Sequence, residues 1–340
     1  MISKHLKFIL LPYLSVIFSQ EVKWMSIGDL HNWYSAAGSE IEVGRTGQVS
    51  DQQDGLRYPA FYRVQDNQAA KGLWLGASNF YDPVVSKNYD KKVVHAGPRH
   101  LDIENETMPV SITMDGKYDH PNVFVDGDPA TNLQYLDYVD NVDPNLESDR
   151  KINNIVQTSL GVQMKRTIYA FAHPDHQNYH IQEYVFINNG CFDKDCNTSY
   201  EQTLEGFQVY LQYRYAISRE GMVYDGNWLP QSAAWGHNTM NDVIGENPST
   251  PSINDQFYDN GEIMRAFFSW QGYHSDASFD NIGGPNAPGE GHLGAAQFAG
   301  VVTLHADTSP SDNSDDIAQP STTWFITSDD PTTSGNDQYN

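Results

Sequence analysis

Apolar and polar positions alternate over most of residues 204–219. Phe207, Val209, Leu211, Tyr213, Tyr215 and Ile217 share one face, and Gln208, Tyr210, Gln212, Arg214 and Ser218 the other. A period of two over that length predicts a long half-buried antiparallel strand. Residues 161–172 and 179–189 predict two more, and three successive strands read as a meander. Shorter strands are expected at 72–80, 91–96, 110–114 and 123–125, separated by turn pairs such as Asp54-Gly55, Gly97-Pro98 and Asp115-Gly116. Strands resume at 263–271, 298–305 and 322–327. A short helix is expected around residues 29–34. The stretches 221–261 and 273–294 read as long aromatic- and Asn-rich connections, a length that loops reach when they bind or cover something. Strand and helix patterns do not alternate, which argues against a parallel α/β sheet.

The expected fold is therefore all-β: a large antiparallel sheet, one half of a β-sandwich, with long irregular loops. One domain is expected over 21–330, irregular to about 150, with a polar tail or truncation point at 331–340. Composition agrees with this. Of 44 acidic residues 31 are Asp and 13 Glu, and Asp belongs to turns more than to helix surfaces. With 20 Lys and Arg in 340 residues the formal net charge is −24, and a duplex-DNA binder needs the opposite sign. No nucleic-acid partner is expected. After Arg265 there is no Lys or Arg, while ten acids follow.

The N-terminus changes the picture of location. Lys4 and Lys7 precede the apolar run 8–18, and Ser19-Gln20-Glu21 is a polar exit. This three-part pattern is that of a secretory signal peptide over residues 1–20, cut near Ser19 to Glu21. The run is too short for a transmembrane helix, and no later segment of the mature chain qualifies. A secreted or cell-surface location follows as an expectation. Cys191 and Cys196, five apart in a turn-like loop, suit a small disulfide in an exported chain.

Several stretches carry a resemblance: MSIGDLHNWY (25–34), DQQDGLR (51–57), QDNQA (65–69), VHAGPR (94–99), VDGDP (125–129), VDPN (142–145), YVFINNG (184–190) and YRY (213–215). In these the chain resembles large, uncharacterised exported proteins of Bacteroidetes-like bacteria, many of which end in a type IX secretion sorting domain. The resemblance implies export and a cell-surface role. It brings no catalytic residue with it. Residues 1–340 hold no such sorting domain, which favours reading the chain as a fragment of a surface protein.

Four groups of residues suggest chemistry. Asp137, Asp140 and Asp143, and Asp312, Asp315 and Asp316, gather oxygen ligands of the kind structural Ca²⁺ takes; the plainer reading is Asx-turns and solvated loops. His173, His176 and His180 crowd one connection and would hold a transition metal only if they converged. Glu183 shares a strand face with Ile181 and Val185, where a carboxyl could act as a general acid, with Asp225 or Glu262 as its partner in glycoside hydrolysis. The alternative is cross-strand pairing of Glu183 with Arg166 or Arg214. Tyr224, Trp228, Trp235, Trp270 and Tyr273 combine flat rings with nearby amides and carboxyls, the mix that binds sugar rings. The chain has no G-x-S-x-G, H-E-x-x-H or P-loop motif. The leading expectation is a non-catalytic binding or structural module that takes a glycan or another surface protein; the alternative is a secreted polysaccharide-active hydrolase or lyase.

Overall fold

The computed structural model describes residues 21–41, 55–61, 66–97, 106–119, 124–129, 138–215, 222–224, 227–229, 239–244, 265–271, 298–316 and 319. All regular elements among them are strands. β1 (Val22–Met25) and β2 (Asn32–Ser35) form an antiparallel hairpin with Trp24 opposite Trp33. The first sheet is built on the 17-residue β5 (Asp66–Asp82). Along one edge it pairs with β3 (Glu40–Ile41), β4 (Leu56–Arg57) and β6 (Lys87–Ala96), and along the other with β14 (Glu205–Tyr215), all antiparallel.

The second sheet has the order β10-β7-β11-β12-β13. Its strands are β7 (Thr107–Gly116), β10 (Asn141–Val142), β11 (Arg150–Thr158), β12 (Val162–Ala170) and β13 (His180–Asn188). Only the short β10–β7 pair is parallel. Between β7 and β10 lies the small hairpin β8 (Phe124–Val125) and β9 (Asp128–Pro129). Later in the chain come the hairpin β15 (Met222–Tyr224) and β16 (Asn227–Leu229) and the three-stranded sheet β17 (Thr239–Ile244), β18 (Arg265–Gln271) and β19 (Phe298–Thr303). The hairpin β20 (Asp307–Ser309) and β21 (Asp312–Asp315) follows. Among the described residues no helix is long and apolar enough to cross a membrane.

On β11 and β12 the even-numbered residues point inward. At one end Ile152, Ile168 and Ala170, with Ile112 and Met114 of β7, receive Met25 and Tyr34 from the hairpin. At the other end Val156, Val162 and Met164 meet Leu73, Leu75, Ala77 and Val94 of the first sheet. This face-to-face contact is sandwich-like. Each fully buried side chain of Val, Leu or Ile size contributes about 1.5–3 kcal/mol.

Four expectations are corrected. The helix around residues 29–34 is instead strand β2 with the turn before it. Trp33 packs on Trp24 while Tyr34 packs on the second sheet, and only a pleated strand sends successive side chains to two such sites. Strand β11 was not expected, because Asn154 stands between Ile152 and Val156 on its inward face and spoils the apolar alternation. The three long strands are not one meander. β12 and β13 pair, but the next strand, β14, pairs with β5 in the other sheet. The intervening link, 189–204, carries the chain between layers and buries Phe192 beside Phe80. Within it Cys191 and Cys196 are disulfide-bonded. The stretch 221–261 is not wholly loop, since β15, β16 and β17 lie in it. The strand expected at 322–327 lies outside the described residues.

The hairpin is locked to the second sheet at Gly28, whose φ is +76°. A Cβ there would meet the carbonyl oxygens of Gln177 at 2.5 Å and Phe171 at 2.8 Å. Asp29 N also donates to Gln177 O. Gly28→Ala therefore adds both dihedral strain and a backbone clash, and a loss of more than about 1 kcal/mol is expected, read as a lowered urea midpoint at unchanged slope.

Candidate functional site

The two apolar clusters are separated by a polar belt. In the first sheet Lys71 of β5 stands between Glu40 of β3 and Tyr213 of β14, directly across from each. In the second sheet Arg166 of β12 stands between Asn154 of β11 and Tyr184 of β13. The segment 35–40, which joins β2 to β3, runs between these rows.

Lys71 Nζ donates to Glu40 Oε1 at 2.9 Å, to Tyr184 Oη at 3.2 Å and to Gln182 Oε1 at 3.4 Å, using the three hydrogens an ammonium has. Glu40 Oε2 accepts from Asn32 Nδ2 at 2.7 Å. Arg166 donates to the carbonyls of Ser35 at 2.8 Å and Gly38 at 2.9 Å and to Asn154 Oδ1 at 3.1 Å, and its guanidinium lies over the Tyr34 ring. Tyr34 Oη accepts from Gln182 Nε2 and lies 3.0 Å from His180 Nδ1. The side chains of Glu40 and Lys71 are 2% and 11% exposed.

These neighbours set the charge states. Burial pushes the Glu40 carboxyl up, but the charges of Lys71 and Arg166, with hydrogen bonds from Lys71 and Asn32, outweigh it and hold it below the usual carboxylate range. Burial likewise pushes the Lys71 ammonium down, and Glu40 more than reverses this. The phenols of Tyr34 and Tyr213 are raised, chiefly by burial. Burial, with His31 nearby, pushes the His180 imidazole down to about 4. At neutral pH the belt thus holds Glu40 charged, Lys71 and Arg166 charged, and His180 neutral. Chemically it is an ion cluster in which the three hydrogens of Lys71 and both oxygens of Glu40 have partners, while Arg166 Nε is buried without one.

The residues singled out from sequence are placed elsewhere. Glu183 does share a face with Ile181 and Val185, but it is the outward face: those two side chains are 49% and 42% exposed. Arg166 belongs to the opposite, inward face, so Glu183 does not pair with it. Asp140 bridges Lys23 at 3.0 Å and accepts from Met114 N, while Asp143 accepts from Asn145 N within its own turn. Asp315 binds Arg265 through both oxygens, at 2.8 and 2.9 Å, and Arg265 also donates to the carbonyls of Asp316 and Gln319. Asp312 accepts from Ser314 N and Oγ, and Asp316 from Gln319 Nε2. His173 and His176 stand at the exposed turn, whereas His180 turns inward to Tyr34. Among the described residues no three His, Cys, Asp or Glu side chains stand together as a metal site. Asp137, Asp225, Trp235, Glu262 and Tyr273 lie outside the described residues. By register Tyr224 stands opposite Asn227, Trp228 opposite Val223, and Trp270 between Met240 and Phe298.

Sequence reasoning passed over Glu40, Lys71, Tyr34 and Asn154 altogether, and weighed Arg166 only as a cross-strand partner. One signal was present: Arg166 interrupts the apolar row Val162, Met164, Ile168 and Ala170, as Asn154 interrupts Ile152 and Val156. Two polar residues on the inward faces of neighbouring strands suggest a buried pair.

Two outcomes follow. Lys71→Met leaves Glu40 buried without its cation and is expected to cost about 3–5 kcal/mol. Adding Glu40→Gln to Lys71→Met is expected to recover part of that loss in a double-mutant cycle followed by urea unfolding. The pH dependence has a definite sign. His180 titrates near 6.5 when unfolded and about 4 when folded, so the unfolded chain binds more protons between these values. Its contribution is intact above about pH 6.5, declines as pH falls, and levels off below about 4. The Glu40 contribution is lost on acidification too. The drop in unfolding free energy from pH 7 to pH 4.5 is expected to be smaller in His180→Gln than in the parent.

Set against protein-family models, curated proteins and solved structures, the chain matches none of them, so its function is argued from its own residues.

Proposed function

We propose that the chain is an exported, non-catalytic binding or structural module, with a glycan as its ligand. The carrying observation is the state of its most perturbed ionisable groups. A general acid, base or nucleophile must reach a substrate within hydrogen-bond distance. Glu40 and Lys71 instead spend their hydrogen bonds on Asn32, Gln182, Tyr184 and each other, between two sheets. This supports reading the belt as a clasp that holds the layers in register. Export is supported by the N-terminal pattern of residues 1–20 and by the Cys191–Cys196 disulfide, a bond that persists in oxidising compartments. The glycan is supported by the aromatic residues Tyr224, Trp228, Trp235, Trp270 and Tyr273, set among amide and carboxyl side chains.

The test is a glycan array probed with the secreted protein, alongside a reducing-end assay on the polysaccharides that score. Binding without turnover, weakened by roughly tenfold or more in Trp228→Ala, is the expected result, since loss of a central aromatic contact costs about 1–2 kcal/mol or more. Release of reducing ends, abolished in Glu183→Gln, would replace the module with a polysaccharide-active enzyme. Silence on the array would remove the glycan and leave the structural role.

A further inference from the structure

One carboxylate in the belt touches both an amine and an amide. Glu40 Oε1 accepts from Lys71 Nζ at 2.9 Å, and Glu40 Oε2 accepts from Asn32 Nδ2 at 2.7 Å. The three residues come from three strands: Asn32 from β2, Glu40 from β3 and Lys71 from β5. Asn32 and Glu40 are 1% and 2% exposed. The Lys71 ammonium lies 5.2 Å and 5.8 Å from the centres of the Tyr184 and Tyr213 rings. Bulk water is thus kept from an amine, an amide carbon and the carboxyl that joins them.

From this geometry we propose a self-made covalent cross-link: Lys71 Nζ condenses with the side-chain amide of Asn32, Glu40 carrying the protons, and the isopeptide bond ties β2 to β5. The proposal goes beyond the module reading and needs neither export nor a glycan. In water an amine and an amide do not condense, because the amine is protonated and the amide nitrogen leaves poorly. Here Glu40 answers both obstacles, with one oxygen on the amine and the other on the leaving nitrogen. Glu40 first takes a proton from the Lys71 ammonium, which frees the lone pair on Nζ. The amine adds to Cγ of Asn32, and the carbonyl π pair moves to Oδ1. Glu40 then gives a proton to Nδ2 and takes the second one from Nζ. The carbonyl re-forms, the Cγ–Nδ2 bond breaks, and ammonia leaves with that electron pair. One cation and one anion are consumed; a secondary amide, a protonated Glu40 and free ammonia remain. The ion pair is the form before reaction. Its neutral counterpart is scarce, since Glu40 is held low and Lys71 high, so the step is slow. The fold compensates by holding the reactants together, at an effective concentration no solution reaches. Gln182 also presents an amide to Lys71, through Oε1 at 3.4 Å. Its nitrogen faces the Tyr34 hydroxyl instead, a phenol that burial makes a still weaker acid, so its leaving group lacks the carboxyl that Asn32 has.

The test is mass spectrometry on the full chain, purified folded, incubated at neutral pH, then unfolded and reduced. The intact mass is expected to fall about 17 Da below that of the sequence, the mass of one ammonia. Acylated Lys71 is no longer cut by trypsin, so residues 24–45 and 64–87 are expected to leave as one linked species, with fragment ions that place the bond between Asn32 and Lys71. A chain that unfolds cooperatively yet keeps its full mass overturns the proposal. So does a loss of about 17 Da with the two peptides separate, or a link that runs from Lys71 to Gln182. Lys71→Arg keeps the charge beside Glu40 but is a far poorer nucleophile, and it is expected to retain its full mass; the same ammonia loss in this variant would betray another source and overturn the assignment. Glu40→Gln removes the proton carrier and is expected to slow formation of the link by about a hundredfold or more. An unchanged rate would overturn the part given to Glu40. Glycan binding is measured separately, so neither result decides the module reading.

Discussion

Everything in the described sandwich-like region is arranged around one guanidinium. Arg166 sits on the inward face of a central strand, where a charge of that size has no water to solvate it. Burying it without partners would cost several kcal/mol, more than most domains can spare. Its hydrogen bonds go to the carbonyls of Ser35 and Gly38 and to Asn154. The need to supply those carbonyls fixes the path of residues 35–39 between the layers. That path then sets Glu40 beside Lys71, and Lys71 ties the first sheet to Gln182 and Tyr184 of the second.

The belt therefore specifies more than it stabilises. Replacing a buried ion cluster with apolar residues of similar volume is often neutral or favourable, whereas removing one member is costly. Apolar contacts alone would let the two sheets slide, since Val, Leu and Met pack tolerantly. A row of directional bonds at mid-height permits one register. The apolar clusters on either side supply the bulk of the favourable burial, and the belt decides which residues of one sheet meet which of the other. At the far end of the chain Arg265 plays a similar part on a smaller scale. It is the last Lys or Arg in the sequence, and it is spent on Asp315 and on two backbone carbonyls rather than left to the solvent.

Local pattern determined the strands that bury one clean face. Residues 161–172 and 179–189 enclose β12 and β13 within a residue or two of their ends, and the long alternation from 204 onward encloses β14. All-β character was equally legible, from alternation, aromatic content and Asp-rich turns. The sequence also placed Glu183 on the right strand face, and set Cys191 and Cys196 close enough along the chain to meet. Period-two patterning reports which residues share a face, because that depends only on the backbone pleat.

Which face is buried, and against what, was decided by tertiary structure. Glu183 lies on an apolar-looking face that turns outward, because β13 offers its other face, Gln182, Tyr184 and Phe186, to the first sheet. Strand β11 escaped notice because Asn154 serves a partner twelve residues away, and Glu40 and Lys71 because each is an ordinary surface type until the other arrives. β14 left its neighbour in sequence for β5 because the first sheet needed a second edge. The sequence by itself determined the elements and the faces they share. Only the folded chain could bring Glu40, Lys71 and Arg166 together, since their meeting depends on contacts across 31 to 128 residues of chain that no local period encodes.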